Sequence, residues 1–206
     1  DVDRLKNAVT RLRELYRLAG FVDAEIGPPR ETRREEADAV FVDVVIPIDE
    51  GRKYTITDVS VDAPSVPDGI VERLNGGLGI VDAVYYPRRT IVGETEILRI
   101  LGAEGYRPEI THTVDLRPSG EETGEAVIRY EVRPGPPLVL GETYVRSGDD
   151  EALRTRERFV RRLVPLEGGD RLDLTAVDEL ENRLYELGPF ALVDIEERPT
   201  PRAGDE

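Results

Sequence analysis

The sequence predicts an α+β fold of tandem β-α-α-β-β units, each a three-stranded sheet covered by two helices. Two observations carry this reading: a self-similarity at a spacing of about 84 residues, and a regular succession of strand-like and helix-like periodicity inside one spacing. The composition agrees. Of 206 residues 39% are apolar and 34% charged, enough to bury cores, and no run of apolar residues is long enough for a membrane-spanning helix.

The repeat is marked twice. Glu14–Phe21 (ELYRLAGF), Leu98–Tyr106 (LRILGAEGY) and Asn182–Phe190 (NRLYELGPF) each end an amphipathic run in glycine and then an aromatic residue, and Gly20, Gly105 and Gly188 recur at nearly equal intervals. Independently, Val44, Ile46, Ile48 and Gly51 recur one interval later as Ile128, Tyr130, Val132 and Gly135, and Tyr54 and Ile56 map onto Leu138 and Leu140. Solenoid units of roughly 20–50 residues are shorter than this, so the spacing describes tandem small domains.

One full unit spans residues 51–135. Tyr54–Val61 is rich in β-branched residues between Gly51 and Pro64 and reads as a strand. Pro67 suits a helix start, Ile70, Val71 and Leu74 keep helical spacing, and Gly76–Gly77 stops the helix. Pro87 opens a longer helix whose apolar stripe is Ile91, Thr95, Leu98 and Leu101, ended at Gly105. Tyr106–Leu116 and Glu125–Val132 close the unit as an antiparallel hairpin around the turn-rich RPSGEETG. The first strand then joins beside either the final strand or the middle one. Residues 1–50 supply a helix over Val2–Ala19, with Leu5, Val9, Leu12, Leu15 and Tyr16 apolar, and a hairpin, so the chain enters in mid-unit. Residues 136–206 supply a strand, two helices and a strand and stop one strand short. There Thr175-Ala-Val-Asp178 reads as a capping box ahead of Val177, Leu180, Leu184 and Leu187.

Composition excludes much chemistry. With 43 acidic against 28 basic side chains the net charge is −15, unsuited to a phosphate-binding surface, so nucleic acid is not an expected partner. No Cys means no disulfide, thiolate nucleophile or zinc finger, and no Met marks Asp1 as the start of a processed or excised piece. The lone His112 has no second ligand nearby and reads as packing. Asp149-Asp150-Glu151 reads as an acidic first helical turn, and Arg154, Arg156, Arg158, Arg161 and Arg162 as a solvated helix face. Asn75-Gly-Gly-Leu-Gly79 follows a helix instead of opening one, so it is a stop and not a phosphate loop. No metal, cofactor or catalytic residue is expected. An enzyme built on paired carboxylates is the opposing class, and no acidic pair stands out for it.

Two stretches carry a family resemblance. Arg158-Phe-Val-Arg-Arg-Leu-Val-Pro-Leu-Glu-Gly-Gly-Asp170 running into Leu184-Tyr-Glu-Leu-Gly-Pro-Phe-Ala-Leu-Val193, and Leu15-Tyr-Arg-Leu-Ala-Gly-Phe-Val-Asp-Ala24 with Ile48-Asp-Glu-Gly-Arg-Lys-Tyr-Thr-Ile56, resemble the polypeptide-transport-associated (POTRA) domains of the BamA and TamA outer-membrane assembly proteins. Leu101-Gly-Ala-Glu-Gly-Tyr106 departs from that pattern by an extra glycine. The resemblance implies tandem POTRA domains, the C-terminal half of a first in 1–50, a complete second in 51–135 and a third in 136–206 without its last strand. It implies a mixed sheet with the final strand central and the second strand exposed.

The function it implies is a periplasmic scaffold at the bacterial outer membrane. Such a scaffold binds unfolded outer-membrane protein clients and periplasmic or lipoprotein accessory subunits, with a membrane barrel C-terminal to this segment. A second reading is a POTRA-type docking module of another secretion or cell-division system. An exposed strand edge offers unpaired backbone groups to an extended client. The candidate edges are Phe21, Val22, Asp23, Ala24, Glu25 and Ile26; then Tyr106, Glu109, Ile110, Thr111, His112 and Thr113, within Tyr106–Val114; and Ala191, Leu192, Val193, Asp194 and Ile195, within Ala191–Glu196. The opposing reading of each is an ordinary strand guarded by charge, at Asp23, Glu25, Glu109, Asp194 and Glu196. Hinge motion is expected at Gly51, and less at Gly135-Pro136-Pro137, where proline stiffens the link.

Overall fold

The computed structural model describes residues 2–36, 39–141 and 168–186. In chain order the elements are α1 (Val2–Leu18), β1 (Glu25–Ile26), β2 (Arg30–Glu36), β3 (Ala39–Val45), β4 (Ile48–Asp49), β5 (Lys53–Asp62), α2 (Asp68–Gly77), α3 (Arg89–Ala103), β6 (Glu109–Pro118), β7 (Thr123–Arg133) and α4 (Leu174–Glu186). Contacts divide the chain into two compact units, one of residues 1–62, 74–96 and 110–131, the other of residues 63–73, 97–109 and 132–206. No described helix is long and apolar enough to cross a membrane.

The three-stranded sheet has the order β5-β7-β6, so the first strand of the complete unit joins beside the final one. β5 runs parallel to β7, with Tyr54 opposite Gly124 and Val61 opposite Tyr130, and a bulge falls between Ile56 and Asp58. The short connection between β6 and β7 leaves no room for a parallel crossover, which makes that pair an antiparallel hairpin and the sheet mixed. In the first unit Tyr54, Ile56 and Val61 of β5, Leu74 of α2, and Ala126, Ile128 and Tyr130 of β7 form the core. An aliphatic side chain withdrawn from water in this way contributes about 1.5–3 kcal/mol. α2 is fastened to the sheet by the Val61 N–H, which donates to Asn75 Oδ1 at 2.9 Å. The second unit buries Ile70, Ile97, Ile100, Leu101, Tyr106, Val132, Leu172 and Leu180, with the Arg73–Glu104 ion pair (2.7 Å) linking α2 to α3.

Two helix readings need correction. On α3 the buried positions are Thr90, Gly93, Ile97, Ile100, Leu101 and Gly102; of the expected stripe Leu101 is buried, whereas Thr95 is exposed and Ile91 is 54% and Leu98 48% exposed. The helix carries two apolar stripes, and the buried one runs through a glycine that adds no hydropathy signal. The cap of α4 is Asp173 and not Thr175: Asp173 Oδ1 accepts from the Thr175 and Ala176 N–H groups and from the Thr175 hydroxyl. Elsewhere helix ends lie close to expectation.

One local pattern occurs twice. At the head of β5, the Tyr54 N–H donates to the Gly20 carbonyl (3.0 Å), Ile56 N–H to Ala83 (2.9 Å), Asp82 N–H to Ile56 (2.8 Å) and Tyr85 N–H to Tyr54 (2.9 Å). Downstream, Leu138 N–H donates to Gly105 (2.8 Å), Leu140 N–H to Asp170 (2.8 Å), Gly169 N–H to Leu140 (2.8 Å) and Leu172 N–H to Leu138 (3.0 Å). An antiparallel bridge accompanies each set, Thr55 with Val84 and Val139 with Arg171. Gly20 (φ 98°) and Gly105 (φ 78°) adopt the left-handed backbone that turns the chain out of α1 and α3 into these joints.

Candidate strand-docking edge

A strand that accepts another chain must have an unpaired side, a length of several residues and a supporting face. β6 meets these conditions. It is a terminal strand of 10 residues, and among the described residues β7 is its one strand neighbour. Ile110, Val114 and Leu116 are half-buried on the face that also carries His112, while His112 itself and Glu109, Thr111, Thr113, Asp115 and Arg117 are exposed. β5, the opposite terminal strand, is already covered at Tyr54–Ile56 by the loop carrying Asp82–Tyr85.

The supporting face is built around Tyr130. Its hydroxyl donates to the Thr90 carbonyl at 2.9 Å, and any side chain at Gly93 would collide with the ring, so α3 packs tightly on β7 here. Burial, with Glu94 and Tyr85 nearby, pushes the Tyr130 phenol up to about 12. The His112 ring sits 6.0 Å from that of Tyr130, and His112 Nδ1 lies 2.6 Å from Glu94 Oε1. The only imidazole in the chain therefore tethers β6 to α3. Asp115 and Arg117 pair along the strand at 2.6 Å.

The remaining candidates are placed differently. Phe21, Val22, Asp23 and Ala24 precede the strand and form a turn closed by the Ala24 N–H on the Phe21 carbonyl, and Asp23 accepts the Tyr54 hydroxyl at 2.6 Å. Glu25 and Ile26 form β1, paired with Asp49 and Ile48 of β4. Tyr106 is buried ahead of β6, its N–H bonded to the Leu101 carbonyl, so the edge proper begins at Glu109 and takes in Ile110, Thr111, His112 and Thr113. Ala191, Leu192, Val193, Asp194 and Ile195 lie outside the described residues, as do Asp149-Asp150-Glu151, the arginines 154–162 and Leu187. The sequence reading misses Glu94 because nothing in a linear pattern ties position 94 to position 112. No group of three or more potential metal ligands occurs among the described residues.

No family model matches the chain, and no curated protein sequence matches it. Solved structures do. POTRA domains 3–5 of Haemophilus influenzae BamA superpose over 98% of this chain and 76% of that one, with a TM-score of 0.57 at 18% identity. BamA from Haemophilus ducreyi lacking POTRA domains 1–3 matches 74% of this chain and 27% of that one, with a TM-score of 0.55 at 21% identity. The β5-α2-α3-β6-β7 order, the central final strand and the mixed sheet are thus those of a known architecture, and the chain has the POTRA fold.

Proposed function

We propose that this chain is a periplasmic docking module of an outer-membrane protein assembly factor. It holds extended client polypeptides by adding them as a further strand to β6. The observation that carries the proposal is the open outer side of β6, 10 residues in length and backed by α3 through Glu94 and His112, on a fold shared with BamA POTRA domains. Backbone hydrogen bonds give such a site affinity for many sequences, and Ile110, Val114 and Leu116 offer a half-apolar face to alternate side chains of the client. The net negative charge keeps such a module soluble while it handles apolar clients.

In this reading residues 1–50, 51–135 and 136–206 are successive POTRA copies, supported by the joint that repeats at Gly20 and Gly105. The clients are unfolded outer-membrane proteins, accessory lipoproteins dock on the same array, and a membrane barrel lies C-terminal. The module binds and does not catalyse.

The test is amide exchange on the whole chain with a peptide of alternating apolar and polar residues at millimolar concentration. Slowed exchange at Ile110, Thr111, His112 and Thr113 is expected, with Glu94→Ala weakening the effect by loosening the strand. Unchanged exchange along β6 would refute the proposal.

A further inference from the structure

The face of β6 turned toward α3 carries one carboxylate with no lysine or arginine beside it among the described residues. Ile110, His112, Val114 and Leu116 alternate onto this face, and Glu109, Thr111, Thr113, Asp115 and Arg117 onto the other. Over His112 stands Glu94 of α3, its Oε1 2.6 Å from His112 Nδ1 and its side chain 28% exposed. Among the described residues His112 is the one ion-pair partner of Glu94. Behind the imidazole lies an uncharged group, Tyr130 of β7, whose hydroxyl is committed to the Thr90 carbonyl. The charged residues of β6 itself alternate onto the far face, where Asp115 and Arg117 pair with each other.

A neutral imidazole holds a carboxylate through one N–H without cancelling its charge, and a carboxylate offers about four lone-pair sites, of which this contact takes one. The site thus has room for a cation. A strand added outside β6 runs about 4.8 Å beyond it, and its residues directly opposite Ile110, His112 and Val114 share their face. At the first and third of these positions an apolar side chain extends the half-buried surface of Ile110 and Val114. At the middle one a long basic side chain reaches back over His112 to Glu94. Ile91, one helical turn before Glu94 and 54% exposed, offers apolar surface to its stem.

We propose that Glu94 makes the β6 site selective for strands in which a lysine or arginine stands between two apolar residues at alternate positions; this rests on the strand docking proposed above and adds the chemistry of the client. The pattern reads the same in both directions, so it serves a parallel or an antiparallel client. An acidic residue at the middle position brings two carboxylates together and is disfavoured.

The probes are three peptides of about ten residues, alternating threonine and valine, with lysine, glutamine or glutamate in place of the central valine. They are titrated into the isotope-labelled full chain at about pH 7.5, above the range in which a free imidazole side chain charges. The resonances of residues 110–114 locate the site and give each Kd. The lysine peptide is expected to bind about three- to fivefold more tightly than the glutamine peptide, the scale of a partly exposed ion pair, and the glutamate peptide more weakly by a similar factor. Glu94→Gln keeps an oxygen that accepts from His112 and removes the charge, so the three affinities should converge on that of the glutamine peptide. A fourth peptide, with lysine moved one residue along onto the opposite face, should show no gain; a gain there would trace attraction to the net charge of −15 and overturn the proposal. Equal affinities of the first three peptides at β6, or a lysine preference that survives Glu94→Gln, would also overturn it and leave strand docking standing. No response of β6 to any peptide would overturn both.

Discussion

The joints at Gly20 and at Gly105 use the same kind of backbone hydrogen-bond frame and fasten it with different side chains. At the first, Tyr54 donates to Asp23 (2.6 Å) and Tyr16 to Glu50 (3.0 Å), and Tyr16 meets the Phe21 ring edge-on at 5.9 Å. At the second, Leu138 stands where Tyr54 stood, and the cross-links are the Arg171 guanidinium over Tyr106 (5.9 Å) and a long Arg171–Glu104 pair (3.9 Å). A repeated backbone geometry thus tolerates two side-chain solutions, one of phenols on carboxylates and one of cation and ring. The backbone frame is the shared requirement of the turn, and the side chains tune how firmly each joint closes.

Substitution at the glycines separates the two joints most. A Cβ at Gly105 would meet the Leu138 and Leu172 carbonyls at 3.0 and 3.2 Å, backbone atoms that cannot step aside, whereas at Gly20 the nearest atom is Val84 Cγ1 at 2.5 Å, the end of a side chain that can rotate. Gly105→Ala is expected to cost about 2–3 kcal/mol and Gly20→Ala about 1–2 kcal/mol, both including the strain of a positive φ. Local amide-exchange free energies at Leu138, Leu140, Tyr54 and Ile56 measure the two, and equal costs would show that the joints are equally rigid.

Tyr54→Phe removes the shorter phenol bond and is expected to cost about 1 kcal/mol at the first joint, reduced by the exposure of Asp23, with no change in exchange at Leu138. The same bond has a pH signature. Tyr54 and Tyr16 are raised above their ordinary value of 10.0, chiefly by donating to Asp23 and Glu50. A raised phenol stabilises the fold fully below its unfolded value, and the contribution disappears as pH climbs through the folded one. Above pH 10 the urea midpoint should therefore fall as the tyrosinate absorbance rises, and Tyr54→Phe should flatten the decline. Tyr16→Phe gives the smallest effect, a slight speeding of exchange at the end of α1, because its hydrogen bond is open to solvent.

Much of the architecture is legible in the sequence because it depends on spacing. The repeat interval alone locates both joints, and alternation locates β5 and β7. What stays hidden depends on meetings between distant positions. The partner of β5 cannot be chosen from the strand patterns, because both hairpin strands carry apolar alternation. The inward side of α3 escapes the pattern because Gly93, which faces the Tyr130 ring, has no side chain to signal it. The edge candidates fare unevenly for a similar reason: Phe21–Ala24 resembles a strand locally, yet Asp23 is drawn to Tyr54 across the joint.

The parallel pairing of β5 with β7 has a mechanical consequence. The chain enters this pair at Lys53 and leaves it at Arg133, opposite ends of two strands that run side by side in one direction. A pull applied through the flanking segments therefore slides the strands past one another and loads their hydrogen bonds together, instead of opening them one at a time as at the end of a hairpin. A segment strung between two anchored neighbours would resist tension through the sheet it already uses to hold its core.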